Sequence, residues 1–321
     1  MHKKFQLKFI WAFHARQSLR GFGTSRRPPA GFLLALLIVS VPSACAPRTA
    51  DPPGLREITD EIGRAILVSP EPKRIVSLAP SITETLFALG LGDRIVGVTS
   101  YCDYPLEAAA KEKVGDTLRP SIERIVALKT DLVIASRASQ LQQFVYNLDE
   151  VKIPVYVSDP NGVAGVLESI TRIGDLTGAT SQAGELTSSL RARIESVRVL
   201  VGDAERPRVL CMLGSAPLIT IGAGSFITDL INQAGGRSIS EDLPGDYPQY
   251  SLETAVAKRP EVILLQTGEP DLPARLKETP AGRDGRVFRL DDNLLMRPGP
   301  RVVDGLEQMA RKLHPDVFGS K

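Results

Sequence analysis

Ser121 opens the stretch SIERIVALKTDLVIAS, and Ser251 opens SLETAVAKRPEVILLQ, an offset of 130 residues. Both begin with serine, carry glutamate at the third position, continue through Val-Ala to a basic and then an acidic residue, and finish in an apolar run. Self-similarity at that distance limits the chain to two copies of one half-fold. A second pair supports it: TETLFALGLGDR from Thr83 and TDLINQAGGR from Thr228 each read as a helix ending in glycine before a strand. Two similar halves that face each other leave a cleft between them.

The content of each half follows from its short apolar runs. RIVSLA (74–79), RIVGVT (94–99), DLVIAS (131–136) and PVYVSD (154–159) are rich in Val and Ile and alternate with helical stretches, notably 81–89 and 140–151. Such runs read as buried parallel strands. After Pro207 a second set begins, with RVLCML (208–213), PLITIG (217–222), EVILLQ (261–266) and RVFRLD (286–291). Between the sets, residues 181–201 contain no proline and place apolar residues near helical spacing. One helix of that length reaches about 30 Å, the width of a small domain. The expected fold is therefore α/β: two Rossmann-like lobes with parallel-rich sheets, over 55–178 and 205–321, joined by one long backbone helix over 179–204, with a ligand cleft between them. A hairpin is expected in REITDEIGRAILV (56–68) before Pro70 and Pro72 break it.

The N-terminus reads as an export signal. GFLLALLIVSV (31–41) is an apolar run of 11 residues behind a basic flank, too short for the roughly 20 that span a bilayer. Small residues Ser43 and Ala44 precede Cys45, so 1–44 is expected to be a signal peptide, Cys45 a lipidated first mature residue, and the proline-rich 45–54 an anchor and tether. Cleavage to a soluble product after Ala46 is the alternative, disfavoured by Pro47. The leader holds seven basic and no acidic residues, so the remainder carries 32 basic against 37 acidic. That balance argues against nucleic acid as a partner. Location outside the cytoplasmic membrane, in a periplasm or at the cell surface, follows. Cys102 and Cys211 allow at most one disulfide, and their place on or near strands suits two unpaired buried thiols.

Several chemistries are excluded by what is missing. The three histidines are His2, His14 and His314, so the lobes hold no Ser-His-Asp triad and no zinc site built on several histidines. No nucleotide-binding GxxxxGK[ST] occurs. Ser81 and Glu84 fit a capping box at a helix start. Glu123 and Glu253 each follow a serine N-cap by two residues; they suit either attraction to a helix dipole or a pair of exposed carboxylates, one per lobe, for a two-fold partner to grip. Acid-base work by Asp103 with Asp246, or Asp291 with Asp292, would make the chain an exported α/β enzyme acting on a tetrapyrrole, but nothing in their spacing favours it. No catalytic residues, metal ligands or resident cofactor are expected.

Three blocks in order, PKRIVSLAPSITETLFALGLGDRIVGVTSYCDYP, KVGDTLRPSIERIVALKTDLVIA and RPGPRVVDGLEQMA, make the chain resemble the helical-backbone binding proteins of ABC importers, which capture cobalamin, iron siderophores or haem. The resemblance runs from about Ile58 to the C-terminus. It implies modest cleft closure and a membrane permease dimer as partner, with Glu123 and Glu253 docking against permease arginines, while two complete lobes that leave no unpaired sheet are expected to form a monomer. SYCDYP around Tyr101 and RPGPR around Arg297 are similar to the cobalamin branch. By that resemblance the ligand-binding residues are Tyr101, Thr117, Ser136, Tyr247 and Arg297, the ligand a large metal chelate, cobalt corrinoid or iron chelate. The sole tryptophan, Trp11, lies in the leader, and Thr117, Ser136 and Tyr247 stand where that branch often has tryptophans. Tyr104 and Tyr250 are further candidates for flat apolar area.

Overall fold

The four Val/Ile-rich runs of the first lobe form strands that alternate with helices. The computed structural model describes residues 54–137, 141–267 and 272–319; the expected leader, Cys45 and the tether up to residue 53 lie outside the described residues. A hairpin comes first, β1 (Arg56–Thr59) antiparallel to β2 (Ala65–Val68). Then follow β3 (Ile75–Ser77), α1 (Pro80–Ala88), β4 (Ile95–Val98), α2 (Leu106–Ala109), α3 (Ile122–Ala127), β5 (Leu132–Ser136), α4 (Leu141–Glu150), β6 (Val155–Ser158) and α5 (Gly162–Thr177). Their sheet has the order β4-β3-β5-β6, all parallel.

The long helix α6 runs from Thr180 to Val201, 22 residues, or about 33 Å at 1.5 Å per residue. It leads to β7 (Arg208–Met212), β8 (Gly214–Ser215), β9 (Leu218–Ile219), α7 (Phe226–Gln233), β10 (Arg237–Ser238), α8 (Leu252–Ala257) and β11 (Val262–Gln266). Short helices α9 (Ala274–Lys277) and α10 (Pro280–Arg283) precede β12 (Val287–Leu290). The chain closes with α11 (Asp292–Leu295), α12 (Val302–Leu313) and α13 (Pro315–Phe318). The second sheet, β10-β7-β11-β12, is again all parallel and repeats the first in topology.

One expected strand is placed differently. PLITIG supplies β9, which pairs antiparallel with β8 as a separate two-stranded ribbon instead of joining the sheet. The edge beside β7 is taken by Arg237–Ser238, a pair too short and polar to register as a strand in sequence.

The internal repeat has a physical basis. Ser121 and Ser251 cap α3 and α8, each hydroxyl accepting from the backbone N–H three residues on at 3.2 Å. Six residues beyond each glutamate, Lys129 and Arg259 both take the left-handed conformation, φ 50°, which turns the chain sharply out of the helix and into β5 or β11. Asp131 then accepts from the N–H groups of Lys73 and Arg74 at 2.8 and 3.0 Å, and Glu261 from Arg208 N–H at 2.8 Å. In each lobe an acidic residue thus pins the start of the neighbouring strand.

The inner faces of both sheets pack onto one shared core. Ile75, Leu86 and Val166 of the first lobe, Leu190 and Val197 of α6, and Val209, Ile227 and Leu306 of the second lobe belong to a single buried cluster. Burial of each such side chain is worth about 1.5–3 kcal/mol. Smaller clusters lie on the outer faces, under α3 and α4 in one lobe and α8 to α10 in the other. Gly174 in α5 allows α6 to come close, since a Cβ there would stand 2.4 Å from Ala183 Cβ. Cys102 and Cys211 are buried and unpaired, and burial pushes the Cys211 thiol up to about 12. Residues from Ala50 to Lys321 form one compact unit, so the lobes are joined by packing as well as by a helix.

Candidate binding cleft

In open α/β sheets the carboxyl ends of parallel strands face the ligand crevice. Here β3, β5 and β6 of one lobe and β11 and β12 of the other end around a shared cavity of about 970 Å³. Thr117, Ser136, Arg137, Asp159 and Asn161 line it from the first lobe, and Ser225, Asp246, Tyr247, Asn293 and Arg297 from the second. Its wall is rich in short hydrogen-bonding side chains, with Phe226, Tyr247 and Met296 as the larger apolar elements.

Four of the five residues expected at the ligand, Thr117, Ser136, Tyr247 and Arg297, are brought together in this wall. Tyr101 is not among the lining residues and stands 48% exposed on the loop after β4. The other two tyrosines are engaged elsewhere. Tyr104 lies beneath Arg301, whose guanidinium carbon sits 3.8 Å from the ring centroid, a cation–π contact. Tyr250 packs against the outer core of its lobe and donates to Ile239 O at 3.4 Å. Burial, then the negative charge of Asp246, raises the pKa of Tyr247 and keeps its hydroxyl protonated.

Arg297 sits in an ion-pair cluster that crosses between lobes. Its Nη1 donates to Glu84 Oε1 at 3.0 Å and to Asp103 Oδ1 at 2.6 Å. Glu84 also accepts from Arg301 at both oxygens, a bidentate fork. The capping box expected of Ser81 and Glu84 is therefore not formed: α1 starts one residue earlier with Pro80, its N-cap is Ala79, and no side chain caps it. Proline at the first turn needs no amide partner, which releases the glutamate for the arginines. Hydrogen bonding from Arg297 holds the Asp103 carboxyl below its ordinary range. On the cleft's other wall Arg137 pairs with Asp159 at 2.6 Å.

Three of the four acid-base candidates make structural hydrogen bonds, and the fourth, Asp246, lines the cleft. Asp103 is bound to Arg297, Asp291 caps α11 by accepting from Asn293 N–H at 2.9 Å, and Asp292 accepts from Thr267 N–H at 2.9 Å. Burial raises the Asp292 pKa.

Glu123 and Glu253 stand exposed in the first turns of α3 and α8. Each accepts from its own N-cap serine hydroxyl, at 2.8 and 3.0 Å. Backbone N–H and serine hydrogen bonds lower both pKa values. Glu253 differs in one respect, an ion pair with Arg275 at 2.8 Å.

Sequence reasoning missed Arg137, Asp159 and the pairing of Glu84 with two arginines, and it named Asp246 only as an acid-base candidate, not as part of the cleft wall. The first two follow predicted parallel strands directly, a positional signal that was there to be used. The cluster depends on contacts between lobes.

An uncharacterised ABC transporter substrate-binding lipoprotein of Bacillus subtilis, YvrC, is 32% identical over 272 residues, covering 81% of this chain and 86% of that protein. The crystal structure of the periplasmic vitamin B12 binding protein BtuF of Vibrio cholerae is similar with a TM-score of 0.68 and 29% identity, over 76% of this chain and 97% of that one. The periplasmic heme-binding protein RhuT of Roseiflexus sp. RS-1 is similar with a TM-score of 0.69 and 28% identity, over 76% and 99%. The model of the periplasmic binding protein family matches residues 75–294, more than half of the sequence, and the chain belongs to that family.

Proposed function

We propose that this protein is the extracytoplasmic capture subunit of an ABC importer and that its cleft takes a corrinoid, cobalamin first. The observation that carries the reading is the cavity of about 970 Å³ at the strand ends, walled by both lobes, which lies at the top of the 300–1,000 Å³ range of small-molecule sites. Its wall of hydroxyl and amide side chains suits a ligand with many peripheral amides, and Tyr247 offers one flat apolar face. Likeness to a vitamin B12 binding structure supports the same choice. Haem is the second reading, favoured by the comparable likeness to a heme-binding protein; a ferric siderophore is the third. The protein acts as a binding subunit, not as an enzyme, and works as a monomer. A membrane permease is its partner, gripping Glu123 and Glu253, and acylated Cys45 is its anchor.

Calorimetric titration of residues 46–321 with cyanocobalamin, dicyanocobinamide, haemin and a panel of ferric siderophores tests the ligand. Saturable one-to-one binding of a corrinoid is expected. Saturation by haemin or a siderophore with no corrinoid binding reassigns the ligand, and silence with every probe removes the reading. In cells, Cys45→Ser is expected to move the protein from the membrane fraction to the soluble one, since acyl chains would be its anchor; unchanged retention refutes the lipoprotein assignment.

A further inference from the structure

The cleft holds arginines and yet is not a cationic site. Among its described lining residues stand two arginines, Arg137 and Arg297, against three aspartates, Asp159, Asp246 and Asp292. Each arginine is already matched. Arg137 meets Asp159 at 2.6 Å, and Arg297 meets Asp103 at 2.6 Å and Glu84 at 3.0 Å. The Arg297 side chain is only 13% exposed and Glu84 2%, so that part of the match is shielded from salt and water. With Arg301 included, the four-residue cluster carries two positive and two negative charges and is neutral as a unit.

We propose that Asp103 and Asp159 act as charge-cancelling specificity residues, so that the cleft accepts ligands with an uncharged, amide- or hydroxyl-bearing rim and rejects carboxylate-rimmed ones. A carboxylate arriving at Arg297 has to displace Asp103, whose side chain is 61% exposed, or crowd against it, and like charges brought together are disfavoured, the more so at low salt. An amide carbonyl meets no such opposition. Among the described residues both ion-pair contacts of Arg297 fall on Nη1, and the guanidinium's other N–H groups can donate to carbonyl acceptors without any net charge to balance. Asp159 is held in place from behind: Glu61 in the hairpin turn accepts from the Asp159 N–H at 2.7 Å and from the Ser169 hydroxyl at 2.7 Å. That arrangement fixes a carboxylate at the rim and puts a further negative charge behind it. The charge rule stands on the cleft geometry; only the choice of probes rests on the corrinoid reading.

The test compares two probes that share a ring and differ at the rim, dicyanocobinamide with amides and dicyanocobyrinic acid with carboxylates. Affinities are measured for wild type, Asp103→Asn and Asp103→Asn with Asp159→Asn, at low and high salt. Wild type is expected to prefer the amide probe. The preference should fall about tenfold in the double variant, the scale of a charge contact near a protein surface, and the change should shrink with salt. A preference that is unaltered in both variants, or a wild type that prefers the carboxylate probe, overturns the proposal. Binding of neither probe by wild type removes the corrinoid reading, and a ligand-free arm then decides the charge rule. Carboxyl NMR should show Asp103 titrating below the ordinary aspartate range and returning to it in Arg297→Gln; ordinary titration in wild type overturns the pairing on which the proposal depends.

Discussion

Glu84 and Arg301 lie 217 residues apart in the chain and meet through two hydrogen bonds of 2.9 and 2.6 Å, joining α1 of the first lobe to the start of α12 in the second. The Glu84 side chain is 2% exposed. Breaking a buried pair by removing one partner costs about 3–5 kcal/mol, because the other charge is left uncompensated. Glu84→Gln is expected to lie in that range, seen as a lower urea midpoint at unchanged slope. Glu84→Leu combined with Arg301→Met should cost less than Glu84→Leu alone. A Gln variant with the wild-type midpoint would show that the cluster contributes nothing to holding the lobes together.

His314 gives the fold a pH dependence of known sign. The ring is buried at the end of α12, with Nε2 3.3 Å from Gly235 O. Burial, opposed by bonds to the backbone and aided by the charges of Arg286 and Arg206, lowers its pKa from the ordinary 6.5. A group whose folded pKa is depressed contributes stability that is present above the unfolded value and lost as pH falls through the folded one. Stability should therefore decline as pH drops below about 6.5. His314→Gln should flatten that slope in denaturation curves taken between pH 5 and 7.5; an equally steep slope in the variant excludes His314 as its source.

Tyr247 and Tyr101 now make unequal predictions. Tyr247 lines the cavity and Tyr101 does not, so Tyr247→Ala should weaken ligand binding by about 1–3 kcal/mol, roughly five- to 150-fold in Kd. Tyr101→Ala should have the smaller effect by calorimetry. The reverse order would mean that the loop after β4 closes over the ligand on binding.

The sequence was informative wherever a short-range pattern decides the outcome. The parallel runs around Val76, Val133 and Val209 are buried on both faces and so read as continuous apolar strands. The caps at Ser121 and Ser251 depend on neighbours three residues away, which any window contains. Arg237–Ser238 escaped notice because a two-residue edge strand has no periodicity of its own and is defined by β7. Glu84 was misjudged for a related reason. Ser81-Ile82-Thr83-Glu84 is locally a good cap, and its release depends on two arginines that arrive from the far end of the chain. Tyr104 and Tyr250 illustrate the limit for the site, since composition counts aromatic rings but not the face of the fold on which each one lies.

The final prediction separates an importer subunit from a free-standing carrier. Glu123 and Glu253 are exposed at equivalent helix starts, one on each lobe, and the body between them is stiffened by a shared core. Replacing both with alanine removes two exposed carboxylates whose local partners are a serine hydroxyl and backbone N–H groups, with a solvent-exposed Arg275 added at Glu253, so the fold should lose little. Ligand affinity should stay near wild type, because neither residue lines the cavity. Docking to the permease should weaken strongly, since partner arginines would lose charge-assisted contacts at both ends of one rigid body. The two positions should not be equal, however. Glu253 already holds Arg275 at 2.8 Å and has to share or release it to a partner, while among the described residues Glu123 is paired with its own cap serine and backbone. Glu123→Ala alone should therefore impair uptake more than Glu253→Ala alone, and Arg275→Ala should bring the two closer together. Charge reversal at both sites should be worse than alanine through direct repulsion. Uptake in reconstituted vesicles, measured beside ligand binding in solution, decides the matter. Survival of uptake in the double alanine variant, or a fall only in step with lost ligand affinity, would remove these glutamates from docking.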